Sequence, residues 1–286
     1  MATGSSVWAC WPVRIEAPMT PRTTRLLRHA RRHKVRLQQN APHQFAAGHA
    51  LAHYPSNSVY TMIPKNACST MRFTLAIENG CIAGAEDINW IHHNNTTFVA
   101  SLRELATADY TFVVLRCPFR RLVSCFLDKF VQKTMEFWVY YNAMDRSFDP
   151  DALSFRAFVD SLQEYRVRTI NIHWRPQSDF LVYEDYDSYF RVEAFDEAVA
   201  ELRERIGMQV RDARELTRHG TAGQDAPEGS FADTPTGALK RLADDGLAPR
   251  PEQFYDEALI GAVRRFYAPD IALYTDRFGA SGLLFS

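Results

Sequence analysis

VYTMIPKNACSTMRF, residues 59–73, contains the change of period that decides the fold. A short apolar run ending at Ile63 passes through Pro64 and Lys65, turns at Asn66, Ala67 and Cys68, and opens a helical pattern at Ser69 and Thr70. The run reads as a strand over 58–63, and the pattern as a helix over 69–79 with Gly80 as its stop. A helix that starts directly after a strand leaves its first N–H groups without intrahelical partners, and its dipole favours negative charge there. With Lys65 in front of them and the Ser69 and Thr70 hydroxyls beside them, the arrangement suits an anion. A single lysine after a strand is more often a solvated residue, so this junction needs support from elsewhere. It is not a Walker loop, because PKNACST lacks the glycines and the Gly-Lys-Ser/Thr ending.

The support comes from DYTFVVL at 109–115, a short and nearly all-apolar run of the kind found in strands buried on both faces. RCPFRRLVSCFLDKFVQKTM follows at once. Phe119, Leu122, Val123, Phe126, Leu127, Phe130 and Val131 recur at helical spacing, with Pro118 in the first turn, where proline is tolerated. Arg116 stands at the strand end, and Arg121, Ser124 and Asp128 share the helix face opposite the apolar stripe. A guanidinium fork and a serine hydroxyl suit a phosphate monoester. Two such junctions imply a ligand with two separated anionic groups.

The rest of the chain fits one α/β unit. It has 286 residues, 46% hydrophobic and 23% charged, with a formal net charge of −1, so the molecule as a whole has no bias toward polyanions. Further helices are expected over 154–165, 194–206 (closed by Gly207) and 252–267, with a flexible loop over 219–237. Strands alternating with helices predict a three-layer fold with a mainly parallel central sheet, over 56–286. Residues 1–55 read as a basic N-terminal arm. Its segment 22–39 carries no acidic residue, which fits a solvated amphipathic helix, or a nucleic-acid or membrane-surface contact. Five cysteines without metal-ligand spacing, and no long apolar run, predict reduced thiols, no metal and a cytoplasmic protein.

Taken in order, these motifs resemble the sulfotransferases that use 3′-phosphoadenosine 5′-phosphosulfate (PAPS), above all the chondroitin and dermatan branch. That family carries a Pro-Lys-x-Ala-Cys-Thr/Ser loop, matched by PKNACST, and an Arg-x-Pro-Phe-x-Arg-Leu-Val-Ser helix running on to Lys-Phe, matched by RCPFRRLVSCFLDKF. NIHWRPQSDF at 171–180, YFRVEAFDEAVAEL at 189–202 and FYAPDIALYTDRFG at 266–279 resemble its later segments, so the likeness spans about 58–279. The resemblance implies a P-loop-like sulfotransferase fold. It also implies that Lys65, Asn66, Ala67, Cys68, Ser69 and Thr70 bind the 5′-phosphosulfate of PAPS, and that Arg116 and Ser124 bind the 3′-phosphate. The product would be 3′-phosphoadenosine 5′-phosphate (PAP), and the acceptor a glycan or another hydroxyl-bearing molecule.

A neutral hydroxyl needs a base, and histidine suits neutral pH. In the related families the base falls between the two donor motifs, which selects His92 or His93, with His93 slightly the better spaced. His173 reads either as lining the acceptor cleft or as structural. Among the aromatics of MEFWVYYNAM, an acceptor-stacking role competes with a core role. Two other classes remain open at this point. One is a nucleotide-dependent phosphoryl-transfer enzyme, which would want a glycine-rich loop and a magnesium-holding aspartate. The other is a nucleic-acid or membrane-surface module led by the basic arm.

Overall fold

The computed structural model describes residues 25–30, 34–217 and 225–286. Four strands form one sheet in chain order: β1 (Ala50–His53), β2 (Ser58–Thr61), β3 (Tyr110–Leu115) and β4 (Ser188–Arg191). The β2, β3 and β4 strands are parallel, with Thr61 opposite Val113 and Leu115 opposite Arg191. β1 turns back antiparallel on β2, Ala50 opposite Thr61, so the sheet is mixed with a parallel heart.

The helices are α1 (Ala41–Ala47), α2 (Cys68–Glu78), α3 (Trp90–His93), α4 (Leu102–Thr107) and α5 (Pro118–Cys125). They continue as α6 (Met135–Ala143), α7 (Phe155–Ser161), α8 (Tyr165–Thr169), α9 (Phe195–Ile206) and α10 (Arg214–Thr217). The last three are α11 (Thr236–Asp244), α12 (Glu257–Phe266) and α13 (Ala268–Phe278).

All six residues of β3 are buried, and its alternation divides the core. Val113 and Leu115 join one apolar cluster with Phe119, Phe126, Phe130, Phe158 and Trp174. Phe112 and Val114 join another with Tyr60, Met71, Leu75 and Leu202, contributed by β2, α2 and α9. Glycines end two helices where they were expected. Gly80 and Gly207 adopt φ +79° and +71°, a conformation that costs a residue with a Cβ about 1 kcal/mol or more.

Several expectations are corrected by the structure. The helix expected from 116 onward changes to π-helical winding over Phe126–Val131. The helix expected over 154–165 is two helices, since α7 ends at Ser161 and α8 starts at Tyr165. The one expected over 252–267 is a 3₁₀ turn, Pro251–Phe254, followed by α12, whose start is capped by Asp256. The arm expected to run to residue 55 contains α1 and the edge strand β1, both fitted to the domain. Residues 25–30 of the basic segment are not helical: Leu27 bridges Tyr183, and Arg25 pairs with Asp187 at 2.6 Å. In the loop expected over 219–237, residues 219–224 lie outside the described residues. The remainder is fastened, with Phe231 and Ala232 buried and Arg156 N donating to the Ala232 carbonyl at 2.9 Å.

Candidate active site

The carboxyl ends of β2 and β3 lie side by side, and each is followed by a turn and a helix start. In parallel sheets this edge collects ligands. The first turn is strained: Lys65 and Ala67 adopt φ +72° and +56° without being glycine. Each costs on the order of 1–3 kcal/mol and persists only when neighbours impose it. The neighbours can be named. The Asn66 amide, fully buried, donates to the Val114 carbonyl at 2.9 Å and to Gln177 Oε1 at 2.6 Å. Arg116 Nη1 donates to the Lys65 carbonyl at 2.9 Å, and Arg121 Nε donates to the Pro64 carbonyl at 3.1 Å. So held, the turn delivers the chain into α2 with no side chain capping its N-terminus. Its first N–H groups are left for a ligand.

Arg116 sits at the second junction. Its backbone is paired to Gln177 in both directions, N–H to Oε1 at 3.0 Å and Nε2 to carbonyl at 2.9 Å. Its Nε is buried without a hydrogen-bond partner. Burial pulls the Arg116 guanidinium below its usual range, with Glu193 opposing. Glu193 itself accepts from Cys117 N–H at 3.0 Å and from the Tyr274 hydroxyl at 3.0 Å. A buried guanidinium N–H without a partner is an unusual expense in a folded protein and is the donor an anion would complete.

The other expected donor residues are near, with differing freedom. Cys68 and Ser69, in the first turn of α2, and Ser124, on α5, are partly exposed. The Thr70 hydroxyl is buried and accepts from Ala213 N–H at 3.3 Å, fastening the segment after α9. Sequence reasoning placed Arg121 only on the polar face of its helix and passed over Asp270, and both are buried residues that hold the two junctions together. Arg121 is 3% exposed, and also donates to the carbonyls of Arg175 at 2.8 Å and Ile172 at 3.3 Å. Asp270, 1% exposed, accepts the N–H groups of Gln177 at 2.6 Å and Ser178 at 2.9 Å.

A row of alternating charges leads away from Lys65. Lys65 Nζ lies 2.8 Å from Asp128 Oδ2, which is 3.2 Å from Lys129 Nζ. Lys129 is 3.6 Å from Glu136, and Glu136 is 3.7 Å from His173 Nδ1. Asp128 and Lys129 both lie on the π-helical stretch, a winding that recurs at functional sites. Burial would raise the Glu136 carboxyl, but the Thr134 hydroxyl, a backbone N–H and the Lys129 cation together hold it below the ordinary range. Burial is also the chief reason that His173 is pushed down to about 3, with the Lys129 and Lys65 cations adding to the shift against Glu136 and Asp128.

His173 thus shares an electrostatic environment with Lys65. His92 and His93 lie on the exposed side of α3, which is held against α2 by Arg72 Nη1 donating to the Ile91 carbonyl at 2.9 Å. Of the aromatic run on α6, Phe137 and Tyr140 are core residues, whereas Trp138 is exposed. Among the described residues no cluster of His, Cys, Asp and Glu could hold a metal ion. Nor is any helix among them long and apolar enough to cross a membrane. Cys68, Cys81, Cys117 and Cys125 are free thiols.

Fold and site together define an α/β protein with a basic side chain and a helix start at the carboxyl end of each of two neighbouring parallel strands. Comparison with known families narrows this: residues 53–275 match the model of the sulfotransferase family, and the chain belongs to that family. Sulfuryl transfer in general follows from that membership. No curated protein and no solved structure matches the chain significantly.

Proposed function

We propose that this protein transfers a sulfuryl group from PAPS to a hydroxyl of a carbohydrate-type acceptor, on a three-layer, P-loop-like scaffold. The observation that carries the reading is the cross-tie between the junctions. The buried Arg116 guanidinium, one N–H of which lacks a partner, also holds the carbonyl of Lys65. Two cationic sites fixed to one another in this way suit one ligand with two anionic ends.

PAPS, when bound, supplies an activated sulfuryl group attached to a phosphate leaving group. Lys65 and the N–H groups at the start of α2 would hold the phosphosulfate end, with the partly exposed Ser69 hydroxyl beside them. Arg116 and Ser124 would hold the 3′-phosphate. Lys65 stabilises the charge that grows on the phosphate as the bond to sulfur breaks, where one fixed cation is worth several kcal/mol. Asp128 and Glu136 pair with Lys65 and Lys129 and hold these cations in place.

Calorimetric titration with PAP, ATP and AMP tests this on the wild type, Lys65→Ala and Arg116→Ala. Tight PAP binding, weak AMP binding and a loss of at least tenfold in Arg116→Ala are expected. A folded wild type that binds ATP as well as PAP would move the assignment to phosphoryl transfer, and one that binds neither would end it.

A further inference from the structure

Resting on that reading, we propose that His173 is the base that takes the acceptor's proton, held in one tautomer by Asn171. The tautomer follows from the hydrogen bonds. Asn171 Oδ1 accepts the backbone N–H of His173 at 3.0 Å, and a backbone nitrogen can only donate, so the amide orientation is settled. The same oxygen lies 2.8 Å from His173 Nδ1, so Nδ1 must carry its hydrogen. In the neutral ring the lone pair is then on Nε2, which has no hydrogen-bond partner among the described residues and is not among the sealed-off polar atoms. The side chain keeps 19% of its surface exposed.

The placement suits the role. Lys65 and Lys129 each contribute to the electrostatics at His173, and Asp128 and Glu136 face it from the π-helical stretch and from α6. Arg121 holds both sides of the site, bonding Pro64 beside Lys65 and Ile172 beside His173. The backbone at His173 is held by the next residue, Trp174, fully buried with its indole N–H on the Val167 carbonyl at 2.8 Å, and the ring by its bond to Asn171. A base must be positioned first and have a suitable proton affinity second. With its proton affinity depressed, His173 is neutral near neutral pH and its Nε2 lone pair is available, though as a weaker base than an ordinary imidazole.

In the step, the acceptor oxygen bonds to sulfur as the sulfur–oxygen bond to phosphate breaks, and the electron pair leaves on the phosphate beside Lys65. The hydroxyl proton passes to His173 Nε2 and then to solvent. One alcohol and one phosphosulfate thus give one sulfate ester, one phosphate and one proton.

Diethyl pyrocarbonate labelling, mapped by mass spectrometry at pH 5 and pH 7.5, reads the base state without an acceptor. A histidine of ordinary proton affinity should react about thirtyfold more slowly at pH 5, because only about 3% of it is neutral there. His173 should react equally at both pH values, within twofold, and at Nε2. Release of PAP from PAPS should fall at least a hundredfold in His173→Gln, while calorimetric PAP affinity stays within threefold. His92→Gln and His93→Gln should keep the wild-type rate. Labelling of His173 that falls thirtyfold at pH 5, or a His173→Gln enzyme as fast as wild type, overturns the assignment. Failure of the wild type to bind PAP overturns the donor reading instead, and leaves the labelling result standing.

Discussion

Replacing Arg121 by lysine should loosen the donor turn and the His173 segment together. The guanidinium lies at the centre of three bonds to main-chain carbonyls: Pro64 at 3.1 Å, Arg175 at 2.8 Å and Ile172 at 3.3 Å. Two of these belong to the 172–175 segment and one to the turn after β2, so the side chain ties together two parts of the chain that are otherwise joined by the Asn66–Gln177 bond and by the ion pairs from Lys65 to His173. Lysine preserves the charge opposite Asp270 but offers one nitrogen, which cannot reach both sides. With Arg121 only 3% exposed, water has little access to replace the missing donors. Each buried carbonyl left without a partner costs about 1–3 kcal/mol. The Ile172 bond is long and contributes least, so the loss should be about 2–5 kcal/mol, a large share of the ~5–15 kcal/mol that holds a domain folded.

Urea denaturation reads this directly, as a lower midpoint with an unchanged slope. Thermal midpoints should fall by about 5–15 °C, at roughly 2–4 °C per kcal/mol for a large domain. Arg121→Met should be worse, because it also leaves the buried Asp270 carboxylate without its cation. An Arg121→Lys protein within 1 kcal/mol of wild type would refute the reasoning. It would mean that the turn and the His173 segment keep their places without the clamp.

Three further outcomes are expected. Because His173 is depressed to about 3 in the folded state, against an ordinary 6.5, the native protein binds fewer protons than the unfolded chain between those values. Stability should therefore fall as pH drops through that window, by up to about 1.4 kcal/mol per pH unit from this group. His43, His49 and His53 are lowered in the same direction, so the difference between wild-type and His173→Gln urea midpoints at pH 5 and 7 isolates it; equal slopes would count against it. Glu78 accepts Gln209 N–H at 2.6 Å and pairs with buried His53 at 2.9 Å, so Glu78→Ala should speed hydrogen exchange at residues 209–213 at least tenfold. Unchanged exchange there would show that the Thr70 and Thr74 hydroxyls, which accept from Ala213 N–H at 3.3 Å and Arg211 N–H at 2.9 Å, hold the segment unaided. Among the described cysteines, alkylation should reach exposed Cys81 first, while burial keeps Cys117 above its usual range and pushes Cys125 up to about 12. Modification of Cys125 in the native protein, seen by peptide mapping, would contradict its burial.

What was legible in the sequence was local. The apolar run of β3 contrasts sharply with its flanks, Pro118 marks the start of α5, and Gly80 and Gly207 stop helices by adopting positive φ. Lys65 and Arg116 could be seen because a cation at a strand end before a helix start is a pattern within a few residues. The strand β1 could not, since Ala50–His53 offers no alternation: all four residues are buried, including a histidine held by Glu78. Gln177 and Asp270 left no signal either. Gln177 acts across 61 and 111 positions and Asp270 across 93, and a buried amide or carboxylate looks like any surface polar residue until its partners are known. The histidines show the same limit. Order along the chain directed attention to His92 and His93, and carried no sign that folding brings His173 into the electrostatic environment of Lys65.

The charges around His173 also order the reaction on the proposed reading. Without a ligand, two cations and two carboxylates run from Lys65 to Glu136, so the row is formally neutral. The cations still outweigh locally, since Lys129 is the largest charge effect on His173 and Lys65 adds to it. An anionic sulfuryl donor on Lys65 would cancel part of that field and raise the proton affinity of Nε2. The base would then grow stronger only once the donor is in place, when a proton has to be taken. On that reading Lys65 would steady the leaving phosphate, while burial first, then Lys129 and to a smaller extent Lys65, keep the base weak before the donor arrives.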